Sequence, residues 1–374
     1  MGQPLYVGSL SDPVLELLER HGVSADEFND AAKTSILCNA LHFLKLAMVP
    51  YSLPHTGARP ELSAEALAEL FAPGAAYLEG CRVGDLLGKG GFGEVHLASK
   101  GESQAAVSIK FLVHSKGHVR TNIREALLLS RLKHPNIVKY LASGVTEFRF
   151  EGDPEASPAL WIATEYLEGE TLRDARLKNT KFREPHLAYV AKCLLRALSV
   201  LHKEGIAHLD LKTDNVMLTI RGSIKLIDFG LAEDVSSPIS CISGTPCYIA
   251  PEIVALQPFT TAPDIWSLGM LLLELLYAAG LNNLLGTDLA ALIRVAIRGL
   301  PLDLSFDASP KFKPSSEMRD FLALCLAFHQ DDRPSADSLL THPWISRACA
   351  RDDIRQAVDK LFVRQSLKDM GIGV

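Results

Sequence analysis

His208-Leu209-Asp210-Leu211-Lys212-Thr213-Asp214-Asn215, with Asp228-Phe229-Gly230 further along, is the stretch from which this chain is best read. It sets out a carboxylate, a lysine, an amide and a second carboxylate in one order. Phosphoryl transfer asks for a carboxylate to receive a hydroxyl proton, a cation on the moving phosphate and two oxygen donors for a divalent metal. Asp210, Lys212, Asn215 and Asp228 supply those roles in turn.

The bulk properties agree with a catalyst acting on other proteins. At 374 residues and 48% hydrophobic, the chain can bury one large core in two lobes, with about a hundred residues to spare. A net charge of -6 and a pI near 6.1 argue against a nucleic-acid binder, which needs a basic face, and suit a basic peptide substrate. The cysteines at 38, 81, 193, 241, 247, 325 and 349 form no CxxC pair, so neither a zinc site nor a disulfide framework is indicated. Reduced thiols and a cytoplasmic location follow. No basic-then-apolar signal opens the chain, and Tyr6 stands where a myristoylation motif wants Ser or Thr. The apolar run Ile265 to Leu281 is broken by Ser267 and Glu274, which reads as a buried helix rather than a membrane span.

Four regions are expected. Residues 1–48 read as three short helices: Asp12 and Pro13 start the first and Gly22 ends it, Ser24 with Glu27 caps the second, and Thr34 caps the third. That third helix carries Ile36, Leu37, Leu41, Phe43 and Leu44, too apolar a set to stay solvated alone. Residues 49–77 are a Pro/Gly linker with a short helix, capped by Ser63 and ending before Pro73-Gly74. Residues 78–348 hold the chemistry, and 349–374 form a tail whose helix, Ala350 to Gln365, places Ile354, Val358, Leu361 and Phe362 on one side.

Within 78–348, Gly88-Lys89-Gly90-Gly91-Phe92-Gly93-Glu94-Val95 lies between two strand-like segments. By itself it is a hairpin; as a lid, its glycines let backbone amides approach phosphate oxygens. Val107-Ser108-Ile109-Lys110 follows at the distance where a strand lysine reaches the phosphates, and Glu125, on a helix from Ile123 to Leu132, is its expected partner. Gly88, Lys89, Gly90, Gly93, Val95, Ser108 and Lys110 are therefore the nucleotide-facing candidates of this lobe. Leu160 to Leu167 runs as an apolar strand into a hinge, where Thr164 borders a base and the backbone of Glu165 and Leu167 pairs with its edge. Gly244 to Glu252 reads as a peptide-docking segment, and Glu252 with Arg333 as a buried structural ion pair. Breaking such a pair costs about 3–5 kcal/mol. Glu168, Glu170, Asp174 and Asp214 either place acidic charge near the peptide groove or are ordinary solvated carboxylates.

These motifs together resemble a eukaryotic protein kinase domain over residues 78–348. The resemblance implies an α+β, bilobal fold, with a small β-rich lobe and a large helical lobe, here preceded by a small helical segment. It implies ATP and Mg2+ as cofactors, Asp210, Lys212, Lys110 and Glu125 as catalytic residues, Asn215 and Asp228 as metal ligands, and protein substrates. Lys212, two residues after Asp210, is as in serine/threonine kinases. Glu165-Tyr166-Leu167-Glu168-Gly169, Gly244-Thr245-Pro246 and Asp264-Ile265-Trp266-Ser267-Leu268-Gly269 resemble the PAK branch, which answers to Rho-type GTPases. The Leu17 to Phe43 stretch resembles the PAK inhibitory segment, which packs on the large lobe; the alternative is a helical cap that only stabilises. The GTPase-binding motif of that family has no counterpart in residues 1–12.

Two positions depart from the family pattern. Leu209 stands where an Arg commonly binds a phosphorylated activation loop, and Cys241 stands where the PAK branch has its activating threonine. Activity independent of activation-loop phosphorylation is the expectation, with Ser236, Ser237, Ser240 and Ser243 as remaining acceptors. The rival to an active enzyme is a nucleotide-binding pseudokinase scaffold, which the complete catalytic set disfavours.

Overall fold

A computed structural model describes residues 74–357 except 91–92, 102–103, 114–118, 179, 238–241, 278–279, 282–284 and 286–309. It also describes Asp359 and, near the other end, Lys33, Ile36, Leu37, Asn39 and Ala40.

Period-two alternation builds the small lobe. Strands β1 (Cys81–Gly90), β2 (Gly93–Lys100), β3 (Ala105–Val113), β4 (Tyr140–Phe148) and β5 (Ser157–Glu165) form one antiparallel sheet in the order β1-β2-β3-β5-β4. Val107, Ile109 and Phe111 of β3 pack into an outer core with Ala159, Trp161 and Ala163 of β5. The residues between them, Ser108, Lys110, Ile162 and Thr164, line a cleft on the other face. Which side chains reach the cleft is thus set by the pleat. Gly93 has φ +152°, and a Cβ there would lie 1.9 Å from the Phe111 carbonyl oxygen, so only glycine lets β2 approach β3 this closely. Helix α2 (Val119–Arg131), starting earlier than the expected Ile123, carries buried Glu125, Ala126 and Leu129.

Most of the expected linker, 49–73, lies outside the described residues. The helix expected after Ser63 lies outside the described residues, and Pro73-Gly74, taken as its stop, instead adjoins the start of α1 (Gly74–Glu79). Tyr77 of α1 stacks on Trp161 at 6.2 Å and takes Lys100 Nζ over its ring at 3.0 Å. Packing of the small lobe therefore begins at Gly74 rather than at 78.

The large lobe is helical around a single core. Strand β6 (Gly169–Thr171) leads into α3 (Leu172–Leu177), and α4 (Glu184–Lys203) buries the leucines of its inner face. Short strands β7 (Ile206–Ala207), β8 (Val216–Thr219), β9 (Ile224–Leu226) and β10 (Glu233–Asp234) hold the loops of the cleft, in sheets β6-β8-β9 and β10-β7. Helices α5 (Pro251–Val254), α6 (Ala262–Leu276), α7 (Ser316–Cys325) and α8 (Ala336–Leu340) complete the described part. Every residue of α6 is buried, so the apolar run is a core helix from Ile265 to Leu276, with Tyr277 leaving the helix to bridge Pro310. No helix among the described residues is long and apolar enough to cross a membrane.

Both flanking regions touch this lobe. Leu37 and Ala40 are buried in its core cluster, and Asn39 Nδ2 donates to the Val254 carbonyl of α5 at 3.2 Å. The remainder of the three expected N-terminal helices lies outside the described residues. In the tail, 351–357 is helical and Ile354 fully buried, while Val358, Leu361 and Phe362 lie outside what is described.

Candidate active site

The catalytic loop between β7 and β8 hangs from one buried carboxylate. Asp264, in the first turn of α6, accepts the His208 N–H on Oδ2 at 2.8 Å and the Leu209 N–H on Oδ1 at 2.9 Å. His202 Nε2 reaches Oδ2 at 2.9 Å. Burial pushes the Asp264 carboxyl up, but these donors outweigh it and hold it below the usual carboxylate range, so it stays charged. The anchored loop puts Leu209 at φ +61°, where branched residues are rare, and packs its side chain against the core. The sequence motif containing Asp264 was visible, but it gave no sign of an anchoring role.

Asp210 sits in a ring of donors. Its Oδ2 accepts from Asn215 Nδ2 at 2.9 Å and pairs with Lys212 Nζ at 2.9 Å, while Oδ1 accepts from Thr245 Oγ1 at 3.0 Å. Lys212 Nζ also donates to Thr245 Oγ1 at 2.8 Å. Thr245, missed as a site residue, joins the docking segment to the catalytic loop. Asn215 Nδ2 further donates to the Asp210 carbonyl at 2.8 Å, which leaves its amide oxygen as the acceptor.

Across the cleft, Lys110 Nζ meets Glu125 Oε1 at 2.7 Å and Asp228 Oδ1 at 3.0 Å. Burial would lower the lysine, yet the two carboxylates raise it above its ordinary value. Asp228 is pushed up by burial and pulled down further by Lys110 and the Gly230 N–H, to about 2. Glu125 is raised, because burial there outweighs Lys110 and Asp228 adds repulsion. Arg124, beside Glu125 on α2, pairs with Glu233 of β10, tying the helix to the activation segment.

A cavity of about 510 Å3 lies between these groups. Gly88, Val95, Ser108, Lys110, Thr164, Glu165 and Leu167 line it, together with Asn215 and Asp228. Leu87 and Met217, which the sequence reading did not single out, line it too. Gly90 and Gly93 are not among its walls, and neither is Lys89. The Lys89 side chain turns to Glu94, its register partner, at 3.1 Å and donates to the Glu151 carbonyl at 2.8 Å. Glu94 is buried and needs a cation, which redirects the lysine from the nucleotide role expected of it.

Glu252 and Arg333 pair through two bonds of 2.6 and 2.9 Å, as the sequence suggested. The acidic residues near the groove are less free than they looked. Glu170 pairs with Lys178, Asp214 with Arg173 at 3.3 Å, and Asp174 accepts from Thr171 at 2.7 Å; Glu168 is exposed. Cys241 lies outside the described residues, whereas Ser236 donates its hydroxyl to Asp234 at 2.6 Å.

The protein kinase domain family matches residues 81–345, more than half of the chain. The chain belongs to that family. The kinase domain is 38% identical over 290 residues to the probable serine/threonine-protein kinase mkcB of Dictyostelium discoideum, covering 77% of this chain and 38% of that protein. It is 32% identical over 279 residues to the serine/threonine-protein kinase pakA of the same organism, covering 73% and 22%. The cytokinesis protein sepH of Aspergillus niger is 36% identical over 288 residues, covering 76% and 20%. The chain thus spans less than half the length of these relatives. For a kinase domain a divalent metal is implied, and the residues fit one. Mg2+ takes one or two protein oxygens and completes its shell with phosphate and water. The ionised Asp228 and the amide oxygen of Asn215 suit that role, and no larger cluster of His, Cys, Asp or Glu among the described residues competes for it.

Proposed function

We propose that this chain is a serine/threonine protein kinase, transferring the γ-phosphate of ATP to hydroxyls of protein substrates. The observation that carries the reading is the finished ring around Asp210, facing the finished Lys110–Glu125–Asp228 clamp. Asp210 accepts the hydroxyl proton, oriented by Asn215 and Thr245. Lys212 sits on the transferring phosphoryl, where its charge is worth most in the transition state. Lys110 holds the α and β phosphates, kept in reach by Glu125. Mg2+ on Asn215 and Asp228 would neutralise charge between the β and γ phosphates. A pseudokinase scaffold is the second reading, and the complete, mutually paired catalytic set speaks against it. ATP with Mg2+ should raise the melting temperature and support phosphate transfer to a generic basic protein. Transfer should disappear in Asp210→Asn while ATP stabilisation remains; transfer that survives this change would sink the assignment.

The finer reading is a cytoplasmic, PAK-like kinase restrained by residues 1–48. The buried Leu37 and Ala40, and the bond from Asn39 to Val254 just beyond the docking segment, support restraint from that side. Leu209 and the Arg124–Glu233 pair support activity without activation-loop phosphorylation, since a carboxylate already links α2 to the segment. A Rho-type GTPase as partner has only the family resemblance behind it. Comparing 61–374 with the full chain tests restraint: equal turnover would leave residues 1–48 as a stabilising cap.

A further inference from the structure

Helix α3 is six residues long, yet it and its C-cap carry three cations, Arg173, Arg176 and Lys178. Each is paired with a different carboxylate, two of them near the cleft and the third, Glu274, buried on α6. Arg173 meets Asp214, next to Asn215 in the catalytic loop, at 3.3 Å. Arg176 meets Glu274 Oε1 at 3.2 Å, and Lys178 meets Glu170, which lines the cavity. Glu274 is held on both oxygens: its Oε2 accepts Thr213 Oγ1 at 2.7 Å and the Tyr248 hydroxyl. Thr213 belongs to the catalytic loop and Tyr248 to the docking segment, so Glu274 ties the two together from inside the lobe, while Asp214 and Glu170 are the carboxylates left near the cleft.

Resting on the kinase reading above, we propose that α3 is a specificity-determining element that neutralises the peptide groove. The site then takes Ser/Thr segments without requiring Arg or Lys beside the acceptor. A substrate arginine could approach Glu170 or Asp214 only by displacing a cation tethered to the same fold. Such a competitor acts at an effective concentration of the order of millimolar, well above usual peptide concentrations. At Asp214 displacement exchanges one exposed ion pair for another, a near-neutral trade, and at the largely buried Glu170 the incoming arginine must also shed its water. The Arg176–Glu274 pair is almost fully buried and does not exchange at all. Of the four acidic residues near the groove, exposed Glu168 and Asp174 carry no cation partner among the described residues, so the response to arginine is small rather than zero.

The test measures, on the full chain, the ratio of kcat/KM for serine peptides with Arg at single upstream positions over their Ala counterparts. The native protein should show ratios of no more than about 5-fold, the reach of one exposed pair. The double variant Arg173→Gln/Lys178→Met uncovers Asp214 and Glu170, and its best ratio should exceed about 10-fold. Lys178→Arg should stay at the native ratio. Native ratios above about 30-fold, or a double variant with unchanged ratios, would overturn the masking. Should the double variant fail to melt cooperatively, the single variants Arg173→Gln and Lys178→Met are read the same way. Failure of the native protein to phosphorylate any peptide would overturn the kinase reading, and this inference with it.

Discussion

Asp264→Asn separates the anchor of the catalytic loop from its chemistry. Aspartate offers two acceptor oxygens, which take the N–H groups of His208 and Leu209 on opposite atoms, with His202 as a third donor. Asparagine has the same shape but turns one acceptor into a donor, so at least one buried N–H faces another donor. An unsatisfied buried donor costs about 1–3 kcal/mol. Leu209 adds to this, because φ +61° costs a branched side chain about 1–2 kcal/mol, strain held in place by the very bond that is lost. The loop then relaxes, and Asp210 follows Leu209 out of line. If the aligned state becomes the minor one by about 1–3 kcal/mol, kcat falls roughly 5- to 150-fold. The Lys110–Glu125–Asp228 clamp lies on other elements, so the KM for ATP should move less than about 2-fold. Steady-state kinetics with a serine peptide, with thermal melting alongside, reads all three quantities. A kcat within about 2-fold of native in a folded variant, or a parallel rise in the KM for ATP, would refute the argument.

Four further outcomes are expected. Against the upward push of burial, Lys110 and the Gly230 N–H hold the folded Asp228 carboxyl down at about 2, below its ordinary 3.8, so its stabilising effect is complete above 3.8 and fades as pH falls toward 2. Lys110→Met should flatten this part of the acid limb in a melting-versus-pH series and abolish ATP stabilisation. Arg333→Met leaves Glu252 buried and uncompensated, and denaturant unfolding should show a loss of about 3–5 kcal/mol. Leu37→Ala loses about 2–5 kcal/mol of buried contact; a closed state leaving about 1% active requires roughly 2.7 kcal/mol, so peptide turnover should rise about 50-fold, whereas a mere cap predicts a lower melting temperature and no gain. Replacing Ser236, Ser237, Ser240 and Ser243 together by Ala should preserve turnover, while Glu233→Ala, which frees Arg124, should lower it several-fold with restoration in Arg124→Glu/Glu233→Arg.

The site was legible wherever function is fixed by order along a local element. Lys110 and Ser108 could be placed because strand alternation sends both to one face, and Asp210, Lys212 and Asn215 because one loop carries all three. Longer-range partners were hidden. Asp264 and Thr245 stood inside quoted motifs, but their bonds to the catalytic loop run between distant parts of the chain, which no periodicity encodes. The side-chain direction of Lys89 was hidden for the opposite reason: its place among the glycines was read, while the β1–β2 register that sets it against Glu94 was not. The helix α1 at Gly74–Glu79 was not read at all, because it is short and sits between a Pro-Gly turn signal and the first strand.

One pattern connects the departures from the family. A phosphate on the activation segment would bring negative charge to a waiting cation; here Glu233 already meets Arg124, and Leu209 offers no cation at all but an apolar contact with the core. A basic substrate would bring positive charge to the cleft floor; here Arg173, Arg176 and Lys178 are already in place. Both sets of contacts are made by side chains of the folded chain, so neither depends on a modifying enzyme or on the sequence around the acceptor. What can still be gated is access. The described residues that bear on access from outside the catalytic body are Leu37, Asn39 and Ala40, seated on the lobe beside α5. If control does act through access, Leu37→Ala is the change that reads it, because it removes buried contact at that seat without touching a catalytic side chain.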